Sequence, residues 1–145
     1  MADVTRISPQ EALEKMRDGY AYVDVRSEGE FVEGHPEGAV NVPIMLMGAN
    51  GMTPNPSFLE VMTATFLKDA KIVVGCKTGG RSLRAAEALA AHGYLNVLDQ
   101  RAGWDGVRDP FGQIREPGWS RAGLPAEKGA PAGCAYGDLK AKVMP

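Results

Sequence analysis

The chain has 145 residues, 44% hydrophobic and 23% charged, which is the size and composition of one ordinary globular domain. Sixteen Lys and Arg residues against eighteen Asp and Glu give a net charge of −2, which excludes the strongly basic surface of a nucleic-acid-binding protein. No apolar run approaches the roughly 20 residues of a membrane span. The first residues lack the pattern of a secretion signal, and two cysteines are too few for a disulfide framework. We therefore expect a cytoplasmic protein that binds neither nucleic acid nor membranes.

The first hundred residues alternate helical patterns with short apolar runs. Ser8, Pro9 and Glu11 form a capping pattern that predicts the start of a first helix, which Gly19 ends. Strands are predicted at 20–25, 39–42, 72–74 and 96–98, and further helices at 57–67 and 81–92. Strands separated by helices of this length indicate βαβ units with a parallel sheet, and hence an α/β fold.

Two stretches carry weaker patterns. Residues 45–56 contain two glycines and two prolines, and they are predicted to form a loop or a lid. From residue 105 onward Gly and Pro are frequent and long apolar runs are absent. We expect this part to wrap the surface of the domain or of an oligomer partner.

The segment with the clearest chemistry follows the strand at 72–74. It consists of Cys76 and then Lys77, Thr78, Gly79, Gly80, Arg81 and Ser82. Ligands of parallel α/β sheets bind beyond the carboxyl ends of the strands, which is where Cys76 is placed. The two glycines let the loop curl with its backbone N–H groups turned inward, and the next helix directs its positive end to the same point. With two cations added, these features favour a thiolate. We predict Cys76 as a nucleophile and residues 77–82 as the binding site for a small oxyanion.

Two other interpretations of this segment, a core cysteine and a nucleotide phosphate loop, fit the residues less well. A cysteine at the end of a strand can be an ordinary core residue, but a core cysteine needs neither glycines nor cations after it. The run from Gly75 to Ser82 also approaches a nucleotide phosphate loop, with Arg81 where that loop has lysine and no clear Mg²⁺ ligand. No His, Cys and Asp cluster has metal-ligand spacing, so neither a metal nor a cofactor is predicted.

Residues outside the loop are given supporting roles. Asp24 and Arg26 are predicted to tie the end of their strand to neighbouring loops by charge-assisted hydrogen bonds. His35 is predicted to be a turn residue because it stands between Gly and Pro, and not a base. Trp104 and Trp119 are predicted to be packing residues, although either could wall the pocket.

Three motifs, in this order and spacing, resemble the rhodanese family of sulfurtransferases. They are YVDVRSEGEF at 22–31, GHPEGAVNVP at 34–43 and the loop CKTGGR at 76–81. The resemblance covers about residues 5–104 and resumes with GWSRAGLP at 118–125. It implies a rhodanese-like three-layer fold, in which a five-stranded parallel sheet has helices on both faces. Relative to the family pattern, we divide the chain into a domain at 1–125 with an inserted segment at about 104–117, and a C-terminal extension at 126–145 that could form an oligomer contact.

The resemblance also implies an activity. Cys76 would take a sulfane sulfur from thiosulfate or a related donor, carry it as a persulfide and pass it to cyanide, a thiol or a sulfur-accepting protein. Lys77 and Arg81 would attract the dianionic donor, and Cys134 would be a tail thiol or a second sulfur station. An alternative is a persulfide carrier or interaction module with little thiosulfate activity. A phosphatase or oxyanion reductase of the same fold is disfavoured, because the pattern Cys-x5-Arg would require arginine where Ser82 stands.

Overall fold

The structure is a computed structural model that describes residues 4–143. The first three residues of the predicted domain and the last two of the predicted extension lie outside the described residues. The strands are β1 (Thr5–Ile7), β2 (Ala21–Asp24), β3 (His35–Pro36), β4 (Val40–Asn41), β5 (Met45–Gly48), β6 (Gly51–Pro54), β7 (Lys71–Gly75), β8 (Asn96–Gln100), β9 (Gly106–Arg108), β10 (Ile114–Pro117) and β11 (Ala126–Glu127). The helices are α1 (Pro9–Arg17), α2 (Glu28–Glu33), α3 (Phe58–Thr65), α4 (Gly80–Ala91) and α5 (Tyr136–Lys140).

Five strands form one parallel sheet in the order β1-β8-β7-β2-β4. Because neighbouring residues of a strand point to opposite faces, the sheet buries two separate clusters. Tyr22 and Val73 pack with α1 and α2 on one face, while Val23 and Val74 pack with α3, α4 and α5 on the other. The predicted five-stranded parallel sheet with helices on both faces is confirmed.

The helix starts follow the local sequence signals. The Ser8 hydroxyl accepts a hydrogen bond from the Glu11 N–H at 3.1 Å, and the Glu11 carboxylate accepts one from the Ser8 N–H at 2.9 Å. This is the predicted capping box at the start of α1. Ser27 and Glu30 form a second capping box at the start of α2. These caps fix the direction in which α1 and α2 leave the sheet.

Two local expectations were wrong. Residues 45–54 are not an irregular loop, since β5 and β6 pair as an antiparallel hairpin. His35 is not a turn residue: it lies in β3, which pairs with β11, and it is fully buried against Phe31 at a ring separation of 3.7 Å. The strand that pairs with His35 lies about ninety residues later in the chain, so no local pattern could reveal it.

The C-terminal third packs onto the domain, as predicted for a segment that wraps its surface. The inserted segment at 104–117 contains the antiparallel hairpin β9–β10. Tyr136 and Leu139 of α5 are buried in the same cluster as α3 and α4, and Trp119 is fully buried on the opposite face. The predicted extension therefore contributes to the main core. No helix within residues 4–143 is long and apolar enough to cross a membrane.

Candidate active site

Cys76 lies just beyond the end of β7 and is 2% exposed. Its Sγ accepts a hydrogen bond from the Gly79 N–H at 3.0 Å and donates one to the Ser82 hydroxyl oxygen at 3.4 Å. The loop folds back on its own cysteine because Gly79 adopts a left-handed conformation, with φ of +101°. The sulfur is thus held by a backbone N–H on one side and a hydroxyl on the other.

The carbonyl of Gly79 is fixed as firmly as its N–H. It accepts a hydrogen bond from Arg6 Nη2 at 3.0 Å and another from the Ser82 hydroxyl at 3.3 Å. Arg6 is held in turn by Asp99, whose Oδ2 lies 2.6 Å from Arg6 Nε. Asp99 is fully buried at the end of β8, and burial raises the pKa of its carboxyl group. The two strands β1 and β8 therefore brace the loop from behind.

Sequence reasoning missed this brace. Arg6 and Asp99 are ninety-three residues apart in the chain, and each lies in a short strand with no local sequence signal for its partner. The available signal was the pair of polar residues Asp99 and Gln100 after the apolar start of β8, because polar residues at a buried strand end require partners. Gln100 has such partners, since its side chain accepts from the N–H groups of Ala102 and Gly103 at 2.8 Å each.

Arg81 does not extend freely into the pocket. Its Nη1 and Nη2 donate to the two carboxylate oxygens of Glu30 at 2.8 and 3.1 Å. Burial alone would raise the pKa of Glu30, but hydrogen bonds from Arg81 and Ser27 lower it to about 2. The Glu30 side chain is 26% exposed and that of Arg81 is 22% exposed. The guanidinium thus links the start of α4 to α2, and its charge is matched within the protein.

Asp24 and Arg26 form a second ion pair, which is almost completely buried. Arg26 Nη2 lies 2.7 Å from Asp24 Oδ2 and donates to the carbonyl of Gly34 at 2.6 Å. The Asn41 amide donates to the carbonyls of Asp24 and Arg26 at 2.9 Å each. This network joins the ends of β2 and β4 to the segment after α2, as expected of residues with a supporting role.

The other predicted loop residues differ in their exposure to solvent. Lys77, Thr78 and Gly80 face solvent, whereas Gly79 and Ser82 are buried. The carbonyls of Cys76 and Lys77 accept hydrogen bonds from the N–H groups of Trp104 and Asp105 at 2.7 and 2.9 Å. The start of the inserted segment therefore supports the loop directly.

Several clefts border the Cys76 loop. The first, called the Lys77 cleft here, has a volume of about 470 Å³. Its walls are formed by Arg26, Glu30, Glu33, Lys77, Trp104, Asp105, Ser120 and Arg121. The second has a volume of about 340 Å³ and is formed by Ile44, Met45, Thr78, Gly80, Arg81 and Arg84. A third has a volume of about 400 Å³ and is formed by Arg6, Thr78, Gly79, Gly80, Leu83, Arg101, Val107 and Glu116. All three give small molecules access to the surface of the Cys76 loop.

Cys134 lies apart from the residues that hold Cys76. It is partly buried with the cluster formed by α1 and α2, and its carbonyl accepts from the Asn41 N–H at 2.9 Å. Burial, together with the charges of Glu127 and Asp138, raises the pKa of its thiol. Among residues 4–143, no three His, Cys, Asp or Glu side chains are grouped so that they could hold a metal ion.

The fold and the site together define an α/β protein whose chemistry centres on one cysteine in a hydrogen-bonded loop at the end of a central strand. The family described as the rhodanese-like domain matches residues 8–109. The chain belongs to this family, and it is an enzyme of the sulfurtransferase class.

Individual relatives support the same assignment. Thiosulfate sulfurtransferase 16 of Arabidopsis thaliana, a chloroplast protein, is 37% identical over 131 residues, which are 88% of this chain and 99% of the relative. Thiosulfate sulfurtransferase GlpE of Haemophilus influenzae is 32% identical over 121 residues, covering 83% and 92% of the two chains. The crystal structure of Rv0390 from M. tuberculosis superposes with a TM-score of 0.74 at 28% identity, covering 88% of this chain and all of that one.

Proposed function

We propose that this protein transfers a sulfane sulfur from thiosulfate to a thiol through a persulfide on Cys76. In the first half-reaction the Cys76 thiolate attacks the outer sulfur of thiosulfate. The S–S bond of the donor breaks, sulfite leaves with its electron pair, and the outer sulfur stays on Cys76 as an anionic persulfide. In the second half-reaction an acceptor thiolate attacks that sulfur and releases the Cys76 thiolate.

The observation that carries this proposal is the hydrogen bond of 3.0 Å from the Gly79 N–H to Cys76 Sγ. An N–H donor aimed at the sulfur stabilises negative charge that develops there during the transfer, and it remains in place when the charge moves to the outer sulfur of a persulfide. Arg6 and Ser82 hold the Gly79 carbonyl, which belongs to the following peptide group, so Gly79 is hydrogen-bonded on both of its sides. Relatives named as thiosulfate sulfurtransferases support thiosulfate as the donor.

The charge distribution supports separate roles for the two loop cations. Arg81 is neutralised by Glu30, and we assign it to holding the loop and α2 together. Lys77 is exposed and has no ion-pair partner among residues 4–143, so its full charge can attract a dianion from solvent. Asp24 and Arg26 act at a distance from the sulfur by fixing the backbone around them.

The proposal is tested by weighing the intact protein before and after incubation with thiosulfate, and again after cyanide. We expect a gain of one sulfur atom that cyanide removes and that Cys76→Ser abolishes while the protein stays folded. The persulfide-carrier alternative predicts no gain from thiosulfate. In that case a sulfur-donating protein, rather than thiosulfate, would have to charge Cys76.

A further inference from the structure

The Lys77 cleft is larger than the donor requires. Its volume of about 470 Å³ falls in the range of roughly 300–1,000 Å³ that is typical of small-molecule sites. Thiosulfate, in contrast, is a compact ion made of two sulfur atoms and three oxygens. The cleft opens beside Lys77, the residue next to the nucleophile. The cleft therefore has room for a molecule larger than thiosulfate.

Most charges in this cleft are already matched. Arg26 is paired with Asp24, and Glu30 is paired with Arg81. Asp105 accepts from Arg121 at 2.8 Å and lies 3.4 Å from Arg108 Nε. These groups make the walls polar but leave little charge for a ligand.

Two opposite charges in the cleft have no such partner. Glu33 ends α2 and Lys77 follows the nucleophile, and both are exposed. Neither forms an ion pair with any residue in the range 4–143. A ligand with an ammonium and a carboxylate group can satisfy both at once, whereas an ion of a single sign leaves one of them unsatisfied.

Trp104 gives the same cleft an aromatic wall. The centroid of the Trp104 ring lies 5.1 Å from the Arg26 guanidinium. The backbone carbonyl of Trp104 accepts a hydrogen bond from the Ser120 hydroxyl at 2.7 Å. On its other side the ring approaches Gly34 so closely that a Cβ there would lie 2.7 Å from Trp104 Cζ2. A wall held in this way is already shaped to receive the carbon chain of a ligand.

We propose that the Lys77 cleft binds the sulfur acceptor, and that the acceptor is a small thiol of the amino-acid type, with both an ammonium and a carboxylate group. This rests on the proposed function of Cys76. Glu33 binds the ammonium, Lys77 binds the carboxylate, and Trp104 contacts the hydrocarbon part of the acceptor. Lys77 thus acts in both half-reactions, because the donor has left before the acceptor enters.

The transfer step balances without any further reactant. The acceptor thiolate attacks the outer sulfur of the Cys76 persulfide anion and forms a new S–S bond. The bond between that sulfur and Cys76 Sγ breaks, and its electron pair remains on Cys76 as a thiolate. The acceptor thiol is oxidised to a persulfide, and the enzyme persulfide is reduced to the thiolate.

The test uses enzyme charged with thiosulfate, separated from excess donor and mixed with one of four thiols. Cysteine carries both charges, cysteamine only the ammonium, mercaptopropionate only the carboxylate and mercaptoethanol neither. The rate constant for loss of the protein persulfide is measured by rapid quench and intact mass. Each variant is compared with wild type for the same thiol, which cancels the intrinsic reactivity of the thiol.

For Glu33→Gln we expect a roughly fivefold lower rate constant with cysteine and cysteamine, the scale of a partly screened ion pair. Mercaptopropionate should react as fast or faster, and mercaptoethanol should be unaffected. Lys77→Gln should slow cysteine and mercaptopropionate but not cysteamine. Glu37→Gln, which removes the same charge from an exposed position outside the cleft, should leave all four rate constants unchanged.

A second measurement does not depend on persulfide chemistry. Binding of S-methylcysteine is followed through the NMR signal of the Trp104 indole N–H, assigned with Trp104→Phe. We expect a shift that saturates in wild type and weakens in Glu33→Gln. Equal slowing of all four thiols in Glu33→Gln, or no shift of the Trp104 signal, would overturn the proposal. If thiosulfate fails to charge Cys76 while S-methylcysteine still binds through Glu33, the donor assignment fails and the acceptor cleft stands.

Discussion

The two glycines of the Cys76 loop are predicted to differ sharply when each is replaced by alanine. Gly79 has φ of +101°, a conformation that costs a residue with a side chain about 1–2 kcal/mol. A Cβ at this position would also lie 2.2 Å from the carbonyl oxygen of Arg101 and 2.9 Å from Arg6 Nη2. Because the first of these is backbone, relief requires the loop or the strand end to move, at a typical further cost of about 1–3 kcal/mol. Gly79→Ala should therefore lower the free energy of unfolding by about 2–5 kcal/mol.

Gly80 provides the matched control. A Cβ there meets no atom within 4 Å, and Gly80 is the first residue of α4 with no positive φ. Alanine is a better helix former than glycine by up to about 1 kcal/mol, so Gly80→Ala should leave stability unchanged or slightly raised. From the sequence, Gly79 and Gly80 were assigned the same role in letting the loop curl.

The two variants should also differ in the rate at which Cys76 forms a persulfide. Moving the Gly79 peptide withdraws its N–H from Cys76 Sγ, so persulfide formation from thiosulfate should fall at least tenfold even where Gly79→Ala is fully folded. Urea unfolding followed by tryptophan fluorescence gives stability, and rapid-quench intact mass gives the rate of persulfide formation. A Gly79→Ala protein with wild-type rate and stability, or a Gly80→Ala protein as impaired as Gly79→Ala, would refute the reasoning.

Three further changes test other parts of the site. Lys77→Ala should weaken the use of thiosulfate by roughly tenfold, mainly through KM, and steady-state kinetics should show the loss shrinking as salt is added. Glu30→Gln should lower the free energy of unfolding by about 1 kcal/mol at neutral pH. Because the pKa of Glu30 is about 2 in the folded protein against 4.5 ordinarily, urea unfolding should show this difference fading as pH falls from 4.5 towards 2. Cys134→Ser should leave thiosulfate:cyanide activity near wild type, and a large loss would place Cys134 in the reaction.

Much of the fold could be predicted because its signals are local. The capping box at Ser8, the β-branched run of β7 and the alanine-rich pattern of α4 each specify an element within a dozen residues. The elements that escaped prediction depend on distant partners. β3 exists because β11 pairs with it, and α5 is stabilised by burying Tyr136 and Leu139 against α3 and α4. Sequence periodicity carries no information about such pairings.

The same distinction explains the candidate site. The loop around Cys76 could be predicted because the strand end, the glycines and the helix start are consecutive in the chain. Backbone geometry then turns the loop back towards the cysteine. The charges available to a ligand could not be predicted from the sequence. A charged side chain attracts a ligand fully only when no ion-pair partner within the protein neutralises it. Arg81 is matched by Glu30 from a different helix, fifty-one residues away, whereas Lys77 next to the nucleophile has no ion-pair partner among residues 4–143. The loop sequence predicts that two cations, Lys77 and Arg81, attract the donor. In the structure Arg81 is paired with Glu30, which leaves Lys77 for this role. The same comparison is the basis for proposing Glu33, which no sequence motif marks, as the group that binds the ammonium of the acceptor.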